Sequence, residues 1–409
     1  MNVLVLKEAM RRDGAFSPTK ATLFTILLCS MLMLMGGAAV APALPLIEQV
    51  FPDQGTLVSM IITVPSLAVG LMGFAIGHLA DRFGKVRVLC LSLAVFTVAG
   101  ASGFLIDNIY VMLAVRFVVG IGIAGISSAV TALIAEYYTG MSRVRVLSYQ
   151  SAAMGVGVLI LEYTGGMLAE LSWREPFLVY LIGVPILLMV ILTMREPMRD
   201  SPGDEGARDE PVRSIDRRLV TVCYITIFIA MTMAFLLPTK MPTYLQASLG
   251  VSTSVTGLFL GVHGVANACT SLMYRRLVGT IRPFAIMGIG FVLLFLALFV
   301  LEASETVGAS VFMMIVAGVG LGMISPAVSN TLATQVTGSN SGKVMGGYST
   351  CLNFGQFAIS LISVPLFAVV GDSYPNMFAV MAVLALVVGL VFLAHCARTG
   401  HMRSRGLEA

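Results

Sequence analysis

Long apolar runs separated by short polar or charged turns recur from near one end of the chain to the other. They fall near 21–43, 57–78, 88–106, 109–135, 147–170, 176–194, 219–238, 254–274, 284–301, 307–333, 344–370 and 376–396. Each is about 20 residues or longer, enough at 1.5 Å per residue to cross roughly 30 Å of hydrocarbon. Backbone polar groups in lipid must pair within their own segment, so runs of this kind are read as spanning helices. The pattern predicts twelve spans, and an even number puts both termini on one side of the membrane.

Lysine and arginine positions choose that side. With the N-terminus inside, the outer loops hold only Arg174 and Lys240, and Arg116 lies within a span; the rest of the 25 Lys and Arg residues fall in inner segments. The positive-inside rule then predicts cytoplasmic termini. The N-terminal stretch carries Lys7, Arg11, Arg12 and Lys20 ahead of a long span and shows no signal-peptide cleavage site.

The longest hydrophilic stretch, 195–218, holds Pro197, Pro202, Gly203, Gly206 and Pro211 among mixed charges, the composition of a flexible connector. It divides the chain nearly in half. The expected organisation is a cytoplasmic segment over 1–20, a six-helix bundle over 21–194, a linker over 195–218, a second six-helix bundle over 219–396 and a cytoplasmic tail over 397–409. An internal repeat supports this division. Gly120–Gly140 aligns with Gly318–Gly338 without gaps at an offset of 198 residues, with nine of 21 positions identical. The fourth span thus matches the tenth, as a six-plus-six duplication with its axis along the membrane normal requires.

Composition agrees. Of 409 residues, 57% are hydrophobic and 11% charged, with a mean hydropathy of +0.93. The net charge of +4 sits in short loops, where topology explains it without nucleic acid. Cys29, Cys90, Cys223, Cys269, Cys351 and Cys396 are dispersed, without ligand spacing or a disulfide framework. No nucleophile–base pair or phosphate-cradling loop is present, which argues against an enzyme; no cofactor is expected.

Four patterns carry a family resemblance. Gly77-x-Leu79-x-Asp81-Arg82-x-Gly84-Lys85 lies between spans 2 and 3, and Leu113-x-x-Arg116-x-x-x-Gly120-x-Gly122 lies in span 4. Met35-Gly36, Pro42 and Pro45 mark span 1, and Trp173-Arg174-x-Pro176-Phe177 precedes span 6. On these the chain resembles the major facilitator superfamily, and more narrowly its twelve-helix drug:proton antiporters. The resemblance implies an all-α integral membrane fold of two pseudo-symmetric six-helix bundles. One motif departs from the antiporter pattern: Leu161-Glu162 stands where glycine-proline is expected, two residues before the Gly165-Gly166 pair.

Several polar residues are candidates for function. By resemblance Gly77, Asp81, Arg82, Gly84 and Lys85 form a cytoplasmic gate, with Asp81 meeting the start of helix 11 near Gly342-Lys343. Arg116 and Glu162 both lie about 10–12 Å below the outer surface on consecutive spans. Intramembrane charges are costly and usually paired, so the two are expected to meet, either as a static bridge or as a proton-coupling site. His263 has Asn267 one turn further along the same face and is read as a second proton site, a substrate hydrogen-bond donor or a satisfied core histidine. Asn267, Asn330, Asn353 and Gln356 lie where they could line a central cavity, and the 26 methionines suit adaptable walls. Glu136 is expected to pair near Arg143 and Arg145.

The leading expectation is a monomeric exporter of a small, neutral, zwitterionic or amphiphilic molecule. It works by proton antiport in a prokaryotic inner membrane, with substrate, protons and bilayer as its partners. A metabolite importer or symporter is the alternative within transport, and a non-transporting receptor lies further off.

Overall fold

The computed structural model describes residues 18–197, 216–303, 306–335, 341–371 and 373–398. Most of the expected linker and both terminal segments lie outside these. The described residues form twelve spans: α1 (Lys20–Leu32 followed, after a 52° bend, by Met35–Val50), α2 (Gly55–Phe83), α3 (Lys85–Leu105), α4 (Ile109–Tyr137), α5 (Gly140–Ala169) and α6 (Glu175–Thr193). They continue with α7 (Arg217–Ser248), α8 (Thr253–Val278), α9 (Pro283–Ala303), α10 (Val307–Ala333), α11 (Ser341–Val369) and α12 (Tyr374–Arg398). All but α1 pass as single bilayer-length helices, and α1 does so as a bent pair.

Two spans run on past prolines near which the sequence pattern ends them. Helix α1 continues past residue 43 to Val50, because Pro42 and Pro45 sit in the first turns of new helical pieces, where a missing N–H costs nothing. Helix α7 continues past residue 238 through Pro238 and Pro242 into a π-turn at Tyr244–Ser248. Prolines that seem to end a span therefore lie inside one. Lys240, expected in an outer loop, is in the helix and buried.

The internal repeat is also a repeat of contacts. A Cβ on Gly120 of α4 would lie 2.3 Å from the carbonyl oxygen of Pro65 in α2, and one on Gly318 of α10 would lie 2.5 Å from that of His263 in α8. Pro65 and His263 are themselves 198 residues apart. Gly122 packs on Phe96 of α3, and Gly320 packs on Leu294 of α9, again at that offset. Each half thus wedges its fourth helix between its second and third with the same glycines, since only glycine permits backbones this close.

The halves meet along two seams, α5 on α8 and α2 on α11. These seams are equivalent under the repeat. Cβ atoms of Asn353 and Ala268 fill the space beside Gly70 and Gly155, and the offset relates both members of the two pairs. Toward the end at which α1 begins and α12 ends, the seams part. A Cβ on Gly73 would meet nothing within 4 Å, and the α5 residues Met141, Val144 and Leu147 are exposed. At the opposite end Gly165 and Gly166 lie against the backbones of Ala39 and Thr253. The described residues are closed at the end where α1 meets α2 and open at the end where α1 begins and α12 ends.

Candidate functional site

A cavity of about 370 Å³ lies between the halves, within the range that holds a drug-sized ligand. Its walls come from α1, α2, α5, α7, α8, α10 and α11, and are mostly apolar: Met154, Val158, Met231, Phe235, Pro238 and Leu260 among others. Set into them are Glu162, His263, Asn267, Gln356, Ser151, Ser271 and Ser325. Glu162 is the only acidic residue of the lining, which holds no lysine or arginine.

Glu162 is 6% exposed, and its Oε2 has no hydrogen-bond partner; the same holds for Nε2 of His263. The repeat explains the lone carboxylate. At the α2–α11 seam the hydroxyls of Thr63 and Ser360 share a 2.6 Å hydrogen bond. At the equivalent α5–α8 seam Ser360 corresponds to Glu162 and Thr63 to Gly261. Glycine offers no side chain, and its backbone lies against Leu159. The helix 5 carboxylate is therefore left facing the cavity. An unpaired buried acid of this kind is costly, which makes Glu162 a candidate for handling a charge or proton.

Arg116 does not meet Glu162, and this overturns the expected pair. Helix α4 packs chiefly on α2 and α3, and α5 chiefly on α8 and α1, so these two consecutive spans touch only marginally. Arg116 is 1% exposed. It donates from Nε to the carbonyl oxygen of Ile61 at 2.8 Å, from Nη2 to that of Gly36 at 2.6 Å, and from Nη1 to the Tyr180 hydroxyl at 2.8 Å. Each acceptor has a reason to be free. Pro65 lacks the N–H that would have bonded Ile61 four residues earlier, and Gly36 lies just past the bend of α1. Tyr180 in turn donates to the carbonyl of Met35 at 3.1 Å. The rings of Phe177 and Tyr180 lie 5.6 and 5.2 Å from the guanidinium, adding cation–π attraction. Arg116 thus stitches a bent α1 to a proline-interrupted α2. In the second half Met314 and Phe378 occupy the positions of Arg116 and Tyr180, and both are fully buried.

Two cavity candidates are displaced. Asn267 and Gln356 line the cavity, but Asn353 and Asn330 do not. Asn353 donates to the carbonyl of Ser349 at 2.8 Å within α11 and fills the seam beside Gly70. Asn330 is exposed near the end of α10. A single sequence gives no helical facing, which is why these two were grouped with the others.

At the open end the signature residues are partly helical. Gly77, Asp81 and Arg82 belong to α2, and only Gly84 turns the chain, with φ of 106°. Lys85 pairs with Glu136 at the end of α4 and lies 3.8 Å from Asp81. Glu136 therefore answers to Lys85 rather than to the arginines that follow it. The carboxylate of Glu196, beyond α6, accepts from the backbone N–H groups of Lys85 and Val86. Sequence reasoning missed this contact, because nothing local links residue 196 to residue 85.

Two six-helix bundles related by a repeat, with one apolar cavity between them and a single lone acid in its wall, define a membrane carrier of small molecules. The chain belongs to the major facilitator superfamily, whose family model matches residues 26–358 and 223–409. It is similar to multidrug resistance protein 1 of Bacillus subtilis (strain 168), at 23% identity over 385 residues covering 93% of this chain and 97% of that one. It is also similar to the quinolone resistance protein NorA of Staphylococcus aureus (strain MRSA252), at 20% identity over 380 residues, 92% of this chain and 97% of that one. Among solved structures, a variant of the nucleoside transporter NupG matches with a TM-score of 0.76 at 12% identity, covering 91% of this chain and 99% of that one.

Proposed function

We propose that the protein exports a small amphiphilic or zwitterionic molecule in exchange for protons, by alternating access of the central cavity to the two sides of the membrane. Similarity to proteins named for drug resistance supports the direction. The apolar, methionine-containing walls suit varied hydrophobic substrates. The observation that carries the coupling is Glu162, buried in the cavity wall with an unpartnered oxygen. A carboxylate there is charged when water enters and protonated when the cavity closes, which is the alternation that antiport needs. His263 is the second proton-accepting group of the same wall. Asp81, Arg82 and Lys85, with Gly77 and Gly84, serve the cytoplasmic gate, and the termini lie in the cytoplasm.

The test is a proteoliposome assay with an imposed pH gradient, scored for substrate-dependent proton movement. Wild-type protein moves protons against substrate, and Glu162→Gln does not. Proton movement that persists in Glu162→Gln refutes the assignment. Substrate and protons moving together would instead favour a symporter, the reading that the altered Leu161-Glu162 motif keeps open.

A further inference from the structure

Two residues of opposite charge, a buried lysine and a half-buried glutamate, join the halves at the closed end, outside the cavity and outside every motif considered so far. Glu48 of α1 lies 4.0 Å from the ammonium of Lys240 in α7, and the two side chains are 23% and 7% exposed. The other carboxylate oxygen of Glu48 accepts from the Thr243 hydroxyl at 3.1 Å. Nearby, Gln246 of α7 donates to the carbonyl oxygen of Pro42 in α1 at 2.8 Å.

These contacts are reciprocal. Under the 198-residue offset Glu48 corresponds to Gln246, and Pro42 corresponds to Lys240. Position 48 of the first half therefore reaches position 240 of the second, and position 246 of the second reaches position 42 of the first. This is the pattern of a self-complementary interface about a two-fold axis. One arm is a neutral hydrogen bond to backbone; the other has become an ion pair.

From this the geometry points to Glu48–Lys240 as the far-side gate: a closure made only while the cavity opens toward the termini, and broken when it opens the other way. The inference rests on the alternating-access reading above. Holding two charges out of water is costly, and an apolar pair of similar volume would often hold two helices together as well or better. A gate has a different requirement. In the closed state the pair gains its mutual attraction and the Thr243 hydrogen bond. In the open state both charges regain water. The attraction and the desolvation offset each other, so neither state is favoured by far, and substrate or proton binding can tip the balance. The supporting backbone is built to move: Lys240 lies between Pro238 and Pro242 and ahead of a π-turn, and Glu48 lies just past Pro45. Breaks of these kinds are where helices bend.

The test is hydrogen–deuterium exchange on the full-length protein in lipid nanodiscs, without substrate or pH gradient, for wild type, Glu48→Gln, Lys240→Met and the exchanged pair Glu48→Lys with Lys240→Glu. For a gate, each single variant exchanges about fivefold or more faster over 42–50, 165–169 and 240–257. The same variant becomes more protected over 71–83 and 140–150, and the exchanged pair returns toward wild type. Faster exchange at both ends marks a merely structural brace and overturns the proposal. So does an unchanged pattern in the single variants, or an exchanged pair that behaves like them. Because no proton or substrate flux is measured, failure here leaves the Glu162 assignment standing, and failure of that assignment leaves this result readable.

Discussion

Thr63 and Ser360 hydrogen bond across one seam between the halves, at 2.6 Å, and the repeat sets Gly261 and Glu162 at the matching place on the other. The duplication thus conserved the architecture of the seam while altering its chemistry. One copy is a satisfied pair of hydroxyls. The other has a glycine against a carboxylate, and the carboxylate points into the cavity wall. The same contrast holds deeper in each half, where Arg116 and Tyr180 face Met314 and Phe378 as counterparts. At these positions the buried charges lie in the first half, and the second half supplies uncharged counterparts in the same frame.

Glu162→Gln is expected to melt at or above the wild-type temperature. The carboxylate has an oxygen without a partner, so the charged form is held against desolvation, and a neutral amide of the same shape escapes that cost. Thermal unfolding of the purified protein in detergent, at neutral pH, decides this. A fall of several degrees would mean that Glu162 makes a stabilising contact.

Arg116→Ala should be severely destabilising, by about 3 kcal/mol or more, because the carbonyls of Ile61 and Gly36 and the Tyr180 hydroxyl lose their donor together. Pro65→Ala provides a specific compensation. The new N–H at position 65 can bond the Ile61 carbonyl as in an uninterrupted helix, so the double variant should be about 1 kcal/mol better than the sum of the two singles. A double-mutant cycle of melting temperatures measures it. Strict additivity would show that Arg116 does not stand in for the proline's missing donor.

Glu196→Ala is expected to cost about 1 kcal/mol and to loosen the start of α3. Its carboxylate receives the first free N–H groups of that helix, at the positive end of the helix dipole. Because the groups are solvent-accessible, the loss should shrink in high salt. Melting curves of Glu196→Ala and wild type at low and high ionic strength test both parts.

The fold was legible because its determinants are local. Apolar length, loop charge and a repeated glycine pattern depend on one stretch of chain at a time, and lipid makes each of them obligatory. The span boundaries at Pro42 and Pro238 were misread because proline has opposite meanings at a helix end and in a tolerated kink. Of the candidate site residues, Glu162, His263, Asn267 and Gln356 lie in the cavity lining, whereas Arg116, Asn330 and Asn353 do not. Pairings were not legible. Arg116 and Glu162 share a depth but not a helix neighbour, and the partners of Arg116 are backbone carbonyls, which carry no signal in the side-chain sequence. The Glu48–Lys240 contact is hidden for a related reason: Lys240 reads as an outer-loop cation and Glu48 as an ordinary surface charge until the two halves of the chain are laid together.

A pair of glycine substitutions separates the closed end from the open one. At Gly257→Ala the new Cβ would lie 2.2 Å from the carbonyl oxygen of Glu162, a backbone atom with no rotamer to move away. Helices α5 and α8 must then separate, with a loss of about 1–3 kcal/mol, as for other overpacked contacts. At Gly73→Ala the new methyl meets nothing within 4 Å, and alanine is the better helix former by about 1 kcal/mol, so stability should hold or rise. Melting temperatures of the two variants in detergent give the comparison directly. Equal melting for both would mean that the seam at Gly257 is as open as the one at Gly73, and the closed end described here would have to be abandoned.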